Sequence, residues 1–159
     1  MRETPRTKAM RWAFNLFPCF LGTGGRVTYI SGDLHYARIA VPLNWRTRNY
    51  VGTIFGGSMF GAVDPIYLVM FMKLLGPDYV IWDKAASIQY KKPGRSKLHA
   101  EFAIDDAELV AIRQALERAE SVDRTYRIDL TDREGTISAS IEKTLHFRKR
   151  RPHQSEGII

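Results

Sequence analysis

The chain has 159 residues, a length that fits a single domain, and 45% of them are hydrophobic, which is enough to build a core. Its single cysteine, Cys19, excludes an internal disulfide and indicates a reducing compartment. We therefore expect a cytoplasmic protein in which this thiol is a small buried hydrophobe. The net charge of +7 would attract an anionic substrate, nucleic acid or an anionic membrane. No nucleic-acid-binding motif accompanies this charge, so we expect no nucleic-acid partner.

The N-terminal segment predicts one amphipathic helix over residues 7–21, because apolar side chains recur there at helical spacing, with a break at Pro18. The glycine-rich stretch 22–25 predicts a flexible link. It is not a phosphate-binding loop, because it lacks the lysine and the preceding strand of such loops. We divide the single domain into an N-terminal helix and link (1–24), a core (25–148) and a polar tail (149–159).

The core predicts strands wherever apolar residues alternate and helices wherever they recur at helical spacing. In chain order these are strands at 26–30 and 36–41, a long helix from residue 56 to 75, strands at 79–91 and 98–104, an inserted helix at 107–120, and strands around 126–130 and 137–147. Adjacent strands with few helices indicate an α+β fold in which an antiparallel sheet wraps the long helix. Lys143 falls on the apolar parity of the last strand, so we expect it at a subunit seam or in a cleft.

The long helix starts at the pair Gly56-Gly57, is apolar on all sides and ends before Gly76-Pro77. Such a helix must be covered on all sides. Its apolar run is interrupted by Asp64-Pro65 and by Lys73, and it is short for a bilayer span. We therefore interpret it as a core helix and expect no stable membrane insertion.

Two features near the start of this helix are candidates for a catalytic role: the glycine pair and Asp64. Free N–H groups and the helix dipole at its start would stabilise an oxyanion, and the glycine pair lets a ligand approach the backbone. Asp64 is a lone acid in an apolar run, where a carboxylate needs a partner or a function, and it could serve as a base or nucleophile. Structural explanations remain open: close helix–strand packing for the glycines, and N-capping of a new helical segment at Pro65 for Asp64.

Helix dimensions separate these two features. Gly57 and Asp64 are seven residues apart, so they lie on nearly the same face but about 10 Å apart along the axis. One substrate carbonyl could hardly touch both within one subunit. The spacing therefore predicts a site at a dimer seam, with Gly57 from one subunit and Asp64 from the other.

The stretch Asn49-x-x-Gly52-x-x-Phe55-Gly56-Gly57-x-x-Phe60-x-x-x-Asp64 resembles the signature of hotdog-fold acyl-CoA thioesterases of the phenylacetyl-CoA thioesterase-like branch. A wider pattern resembles a hotdog family known only as a domain of unknown function. That pattern comprises Trp12-x-x-Asn15-Leu16-x-Pro18, Trp82-Asp83-Lys84-Ala85-Ala86, Lys92-Pro93-Gly94 and Glu142-Lys143-Thr144. The resemblance implies a five- or six-stranded antiparallel sheet curled round the central helix. It also implies a homodimer with two sheets joined edge to edge, or a dimer of dimers.

The resemblance further implies site roles. The N–H of Gly57 would bind the thioester carbonyl, and Gly56 would shape the turn. Asp64 would activate water or attack the carbonyl, and Asn49 would position the water or the acyl group. The expected function is hydrolysis of acyl-CoA or another acyl thioester, with CoA as part of the substrate and no cofactor. The alternative is a hotdog protein that binds acyl thioesters without turnover or is purely structural.

Several neighbours of the motif are candidate substrate-binding residues: Phe55, Gly56, Ser58, Met59, Phe60, Lys92 and Arg95. Phe55 stands where many active relatives of the implied family carry histidine, which makes the pocket more apolar and favours the non-catalytic alternative. Met59 and Phe60 suit an acyl chain but are equally ordinary in a core. Lys92 and Arg95 lie on a basic turn that could meet CoA phosphates or be solvated. The four histidines lack metal-ligand spacing, so we expect no metal site.

Overall fold

The computed structural model describes residues 2–150, so the predicted polar tail from residue 151 onward lies outside the described residues. The helices are α1 (Pro5–Leu16), α2 (Pro18–Thr23), α3 (Gly56–Leu75) and α4 (Asp106–Arg118). The strands are β1 (Arg26–Ile30), β2 (Tyr36–Val41), β3 (Tyr79–Tyr90), β4 (Leu98–Ala103), β5 (Ser121–Thr131) and β6 (Ile137–Lys149). This α+β composition and the long central helix confirm the predicted fold class.

All six strands form one antiparallel sheet in the order β1-β2-β4-β5-β6-β3. Helix α3 contacts β2, β4, β6 and β3, which are spread across this sheet, so the sheet curls around the helix. Its apolar residues form one core with the inward side chains of the strands, among them Phe71, Phe102 and Phe147. The architecture is the one that the hotdog resemblance implies.

The N-terminal segment differs from the prediction of one helix and a four-residue link. Pro18 begins the second helix, α2, because proline is well suited to the first helical position. Thr4 and Thr7 cap α1 reciprocally, and α2 continues through Thr23 to a left-handed Gly24. The expectation that Cys19 is buried is wrong: its side chain is exposed, while Phe20 fills the core from the same short helix.

The two edges of the sheet are treated differently. At β1, the amide of Asn15 accepts from the N–H of Val27 (2.7 Å) and donates to its carbonyl (2.9 Å), so α1 covers this edge. At the opposite edge, β3 is twelve residues long, and its residues 82–87 are all exposed. Within residues 2–150 no strand pairs with its outer side. Unpaired edges of this length are templates for pairing with another chain.

A bulge in β3 decides which of its side chains face α3. Asp83 lies opposite Leu145 of β6, and after an irregularity between Asp83 and Ala85, Ala86 lies opposite Lys143. Leu145 and Lys143 share one face of β6, so the extra residue brings Asp83 and Ala86 onto that same face. The bulge thus aims the Asp83 carboxylate toward the central helix.

Candidate active site

The start of α3 presents two free backbone donors. Phe55 is the N-cap with an extended backbone, and its side chain makes no capping hydrogen bond. Its carbonyl accepts from the N–H groups of Ser58 (3.0 Å) and Met59 (3.2 Å). The N–H groups of Gly56 and Gly57 have no protein acceptor among residues 2–150. They carry the partial positive charge of the helix start and suit an anionic oxygen.

These donors open into a cleft of about 440 Å³. The cleft is formed by the loop before α3, the start of α3 and the turn after β3. Its lining contains Asn49, Thr53, Ile54, Phe55, Gly56, Gly57, Met59, Tyr90, Lys91, Lys92, Pro93 and Gly94. The structure therefore brings together six of the predicted site residues, from two segments about forty positions apart in the sequence.

Close packing explains why glycine occupies this helix start. A Cβ at Gly56 would lie 2.5 Å from the hydroxyl oxygen of Tyr90, and a Cβ at Gly57 would collide with the Phe55 ring. Close packing and ligand binding are therefore compatible explanations of these glycines, because the same missing Cβ atoms leave the N–H groups accessible. Phe55 itself is more than half exposed, and its ring forms part of the cleft wall.

Asn49 organises the loop that precedes the helix. Its side-chain oxygen accepts from the N–H groups of Val51 (3.1 Å) and Thr53 (3.0 Å), and its amide donates to the Thr53 hydroxyl (2.9 Å). This is an Asx-type turn, in which a short polar side chain replaces backbone partners. Its side chain is thus engaged in holding the loop, and its role toward a substrate stays a prediction.

Four predicted site residues lie outside the lining of the cleft. Ser58 is buried, and Phe60 is half-buried against the hydrophobic core. Arg95 is exposed on the turn beyond Lys92, which does line the cleft. Asp64, two turns further along α3, is also outside it. The cleft therefore combines the free backbone donors of Gly56 and Gly57 with a basic and aromatic rim, without Asp64.

Asp64 belongs to a second polar group, and it is not a lone acid as the sequence implied. Its Oδ1 accepts a hydrogen bond from the Nζ of Lys143 at 2.5 Å, and the same ammonium lies 3.1 Å from Oδ2 of Asp83. The Lys143 side chain is only 1% exposed, whereas those of Asp64 and Asp83 are 41% and 30% exposed. We call Asp64, Lys143 and Asp83 the carboxylate–lysine cluster.

The charges of this cluster do not cancel, since two carboxylates share one ammonium. Burial raises the pKa of Asp83 above its ordinary value; the hydrogen bond and charge of Lys143 counteract this, and the charge of Asp64 adds to it. A buried ammonium is stable only with such partners. The position of Lys143 on the apolar face of β6 is thereby explained: its ammonium lies between the carboxylates of Asp64 on α3 and Asp83 on β3.

Helix α3 runs unbroken from Gly56 to Leu75 with Pro65 inside it. Asp64 is therefore not the N-cap of a separate helix, and that explanation of the acid is excluded. Gly57 and Asp64 lie on one continuous helix, so the separation of about 10 Å along its axis holds within one subunit. The backbone donors of Gly56 and Gly57 and the carboxylate of Asp64 therefore form two separate candidate half-sites.

Two contributors to these half-sites could not be identified from the sequence: Tyr90 and the Asp83–Lys143 contact. Tyr90 follows the alternation of β3, and nothing local marks its hydroxyl as the neighbour of Gly56. Lys143 was a visible anomaly, but its partners are 79 and 60 positions away and depend on strand register and the bulge. Within residues 2–150 no group of three or more His, Cys, Asp or Glu side chains could hold a metal ion.

Of the helices in the described part of the chain, α3 alone is long and apolar enough to cross a membrane. Its contacts with four strands and its buried side chains identify it as the core helix that the sequence predicted.

Solved structures with the same fold include several thioesterases. A protein of unknown function from Pseudomonas aeruginosa, described as a probable thioesterase, has a TM-score of 0.81 at 15% identity, covering 91% of this chain and 96% of that one. A thioesterase from Haemophilus influenzae has a TM-score of 0.69 at 14% identity, with 96% and 97% covered. Thioesterase superfamily member 2 from Mus musculus has a TM-score of 0.62 at 17% identity, with 91% and 98% covered. These likenesses establish the hotdog fold, and at such low identity they establish the fold alone.

No curated protein sequence matches the chain. One family, described as "Domain of unknown function (DUF4442)", matches residues 6–147, which is nearly the whole chain and agrees with the wider pattern found in the sequence. The chain belongs to the DUF4442 family.

Proposed function

We propose that this protein hydrolyses acyl thioesters, with acyl-CoA as the substrate class. The observation that carries the proposal is the pair of N–H groups of Gly56 and Gly57, which have no acceptor within residues 2–150 and open into the cleft at the start of α3. The Gly57 N–H would bind the thioester oxygen as negative charge develops on it. Lys91 and Lys92 on the rim would attract the phosphates of CoA. The reaction needs no cofactor, and the exposed thiol of Cys19 suits a reducing compartment such as the cytoplasm.

Asp64 would act as general base or nucleophile. Its Oδ1 is held by Lys143, so the carboxylate is oriented, and its side chain keeps 41% of its surface exposed for water or substrate. Asp64 cannot reach the cleft of its own subunit, so the proposal includes a second subunit that brings its Gly57 to this Asp64.

The outer edge of β3, which no strand of the described residues pairs with, supports that second subunit. Asp83 lies on this edge strand, and the exposed part of the carboxylate–lysine cluster therefore belongs to the side of the molecule where another chain would dock. Pairing of two β3 strands would make one continuous antiparallel sheet. Larger assemblies, such as a dimer of dimers, would add contacts without changing the site.

The test is hydrolysis of a panel of acyl-CoAs of different chain lengths, followed with a thiol reagent. Replacement of Asp64 by Asn should lower kcat/KM by about a hundredfold or more, because a positioned acid–base group contributes that much. Gly57→Pro removes the oxyanion donor, and Gly57→Ala is its matched control, because it adds a Cβ but keeps the N–H. The proline variant should lose about a hundredfold more activity than the alanine variant.

A mixed-subunit assay tests the shared site. Asp64→Asn and Gly57→Pro subunits, each inactive alone, are unfolded and refolded together in equal amounts. About one quarter of the wild-type activity should return, because half of the dimers are mixed and each mixed dimer has one complete site. If both variants are inactive and no activity returns on mixing, the shared-site arrangement is wrong.

The non-catalytic alternative keeps one specific observation in its favour, the Phe55 ring beside Gly57. If the protein binds acyl thioesters without turnover, wild type and Asp64→Asn will both bind acyl-CoA, measured by calorimetry, and neither will release thiol.

A further inference from the structure

The α1–α2 region displays large apolar side chains to solvent. Trp12, Leu16, Phe17, Leu21 and Trp45 have exposed fractions between 40% and 87%. Four of them (all but Phe17) line one cleft of about 490 Å³. We call these five residues the N-terminal apolar face. Contiguous exposed patches of this kind are uncommon on proteins that act alone, and they mark surfaces for interaction.

The N-terminal apolar face is rigidly held. Phe14 and Phe20 pack edge to face at 4.7 Å beneath it, and the amide of Asn15 is bound to the backbone of β1. The guanidinium of Arg46 donates to the carbonyl of Leu21, which joins the loop after β2 to α2. The apolar side chains are therefore presented by an ordered scaffold, in a fixed arrangement.

Positively charged residues lie beside this face. Residues 1–50 contain eight Lys or Arg and two Asp or Glu, which leaves a net charge of +6 out of the +7 of the whole chain. Arg11, Arg26 and Arg46 line the same cleft as the apolar residues. Arg11 is paired with Glu3 at 2.7 Å and lies over the Trp12 ring at 5.6 Å. The positive charge of these three arginines is therefore only partly neutralised.

We propose that the N-terminal apolar face docks on the surface of an anionic lipid bilayer. Tryptophan, phenylalanine and leucine side chains would enter the headgroup–acyl boundary, and the arginines would contact the anionic headgroups. The leucines and Phe17 favour lipid over nucleic acid, because aliphatic side chains add little to base stacking or phosphate binding. The arginine-rich setting favours an anionic surface over a second copy of this face, which carries the same charge.

The position of the face fits a dimer whose active sites remain accessible. It lies at the β1 edge, and subunits joined through β3 would leave it uncovered, because β1 and β3 are opposite edges of the sheet. The loop from Trp45 to Phe55 runs from the face to the candidate cleft, and it exposes Tyr50 and Val51 on the way. This surface goes beyond the proposed hydrolysis and does not depend on it.

The test is co-sedimentation of the full chain with vesicles. One set contains equal parts of phosphatidylcholine and phosphatidylglycerol, and the other contains phosphatidylcholine alone. Wild type should bind the anionic vesicles and dissociate from them at high salt. It should bind the neutral vesicles about tenfold less well. The triple variant Trp12→Gln, Leu16→Gln, Phe17→Gln should bind the anionic vesicles about tenfold less well than wild type.

Two matched controls separate the face from general surface effects. Met72→Gln with Val110→Gln removes two exposed apolar side chains elsewhere, each 47% exposed, and should leave binding unchanged. Arg26→Glu should weaken binding about tenfold, whereas Arg133→Glu on the exposed β5–β6 turn should not. Thermal unfolding of each variant establishes that the comparison is made between folded proteins.

Three outcomes would overturn the proposal. The first is absence of wild-type binding to anionic vesicles, or equal binding by wild type and the triple variant. The second is a smaller assembly mass for the triple variant in sedimentation equilibrium, which would make the face a subunit contact. The third is retention on single-stranded DNA that depends on the face, with no vesicle binding, which would make it a nucleic-acid surface.

Discussion

Replacement of Lys143 by Met tests the carboxylate–lysine cluster most directly. Met has a similar length and no branch, so it fills the same buried space between β6, β3 and α3. The change removes the one cation that both Asp64 and Asp83 contact, at 2.5 and 3.1 Å. Two carboxylates are then left facing each other beside an apolar helix, and each has lost its charged hydrogen-bond partner.

The size of the effect follows from burial. Removing one partner from a fully buried ion pair costs about 3–5 kcal/mol, because the other charge is left uncompensated. Here the carboxylates keep 41% and 30% of their side-chain surface exposed, so water screens part of this cost. We expect a loss of about 2 kcal/mol in the free energy of unfolding. For a domain of 159 residues this lowers Tm by about 4–8 °C.

The assay is thermal unfolding as a function of pH. Folded Lys143→Met should take up protons at the carboxylate pair more readily than the unfolded chain, so its stability is retained at low pH and lost as pH rises. Its deficit relative to wild type should therefore be small below 3.8, the ordinary pKa of an aspartate, and grow above it. A deficit that does not change with pH would contradict the electrostatic explanation.

A charge-free variant is the matched control. Lys143→Met combined with Asp64→Asn and Asp83→Asn removes all three charges together, and replacing a complete buried ion network costs far less than breaking it. We expect this triple variant to regain most of the lost stability. If it is as unstable as Lys143→Met alone, the loss comes from packing, and the reasoning about uncompensated carboxylates is refuted.

Three further predictions concern the two half-sites. Because burial raises the pKa of Asp83, wild type should lose stability relative to Asp83→Asn as pH rises above 3.8. The measurement is Tm of both proteins across that pH range, and a Tm difference that does not change with pH would contradict the prediction. Asn49→Ala removes three hydrogen bonds within residues 49–53, so it should cost about 1.5 kcal/mol and speed proteolysis of this loop, whereas Asn49→Asp, which keeps the acceptor, should be milder. Gly57→Ala should destabilise wild type more than the Phe55→Ala protein, with a coupling of about 1 kcal/mol by denaturant unfolding, because the three atoms nearest to the added Cβ all belong to the Phe55 ring. Additive losses would disprove that contact.

The strands and the central helix could be predicted because their patterns are local. β1 and β2 match the predicted ranges 26–30 and 36–41, and α3 begins and ends at its glycines, since alternation and helical spacing report burial on one face or all faces. β5 begins at Ser121, earlier than the prediction around 126–130, because its first residues are mostly exposed and carry no apolar alternation. The exposure of Cys19 could not be predicted, because its neighbours are all apolar and such a run does not show which of its members face solvent.

The site was only half predictable. The glycine pair and Asp64 stand out in the sequence, and the cleft contains six of the residues chosen from it. The partners of Asp64 could not be predicted, because they depend on a bulge that shifts β3 by one residue against β6. A one-residue shift exchanges the faces of a strand, and alternation along a single strand does not reveal where it occurs.

The two half-sites are placed so that one antiparallel pairing would join them. Tyr90, which lies against the start of α3, ends β3, and Asp83, which shares Lys143 with Asp64, lies seven residues earlier on the same strand. If two β3 strands pair about a twofold axis through Ser87, the extra residue of the bulge before Ala85 places Asp83 of one subunit opposite Tyr90 of the partner subunit. The axis would thus bring each carboxylate–lysine cluster beside the oxyanion donors of the other subunit, twice per dimer. The β3 edge strand would then determine both how the subunits assemble and how the active site is completed. The mixed-subunit assay therefore tests the β3 pairing as well as the catalytic roles of Gly57 and Asp64.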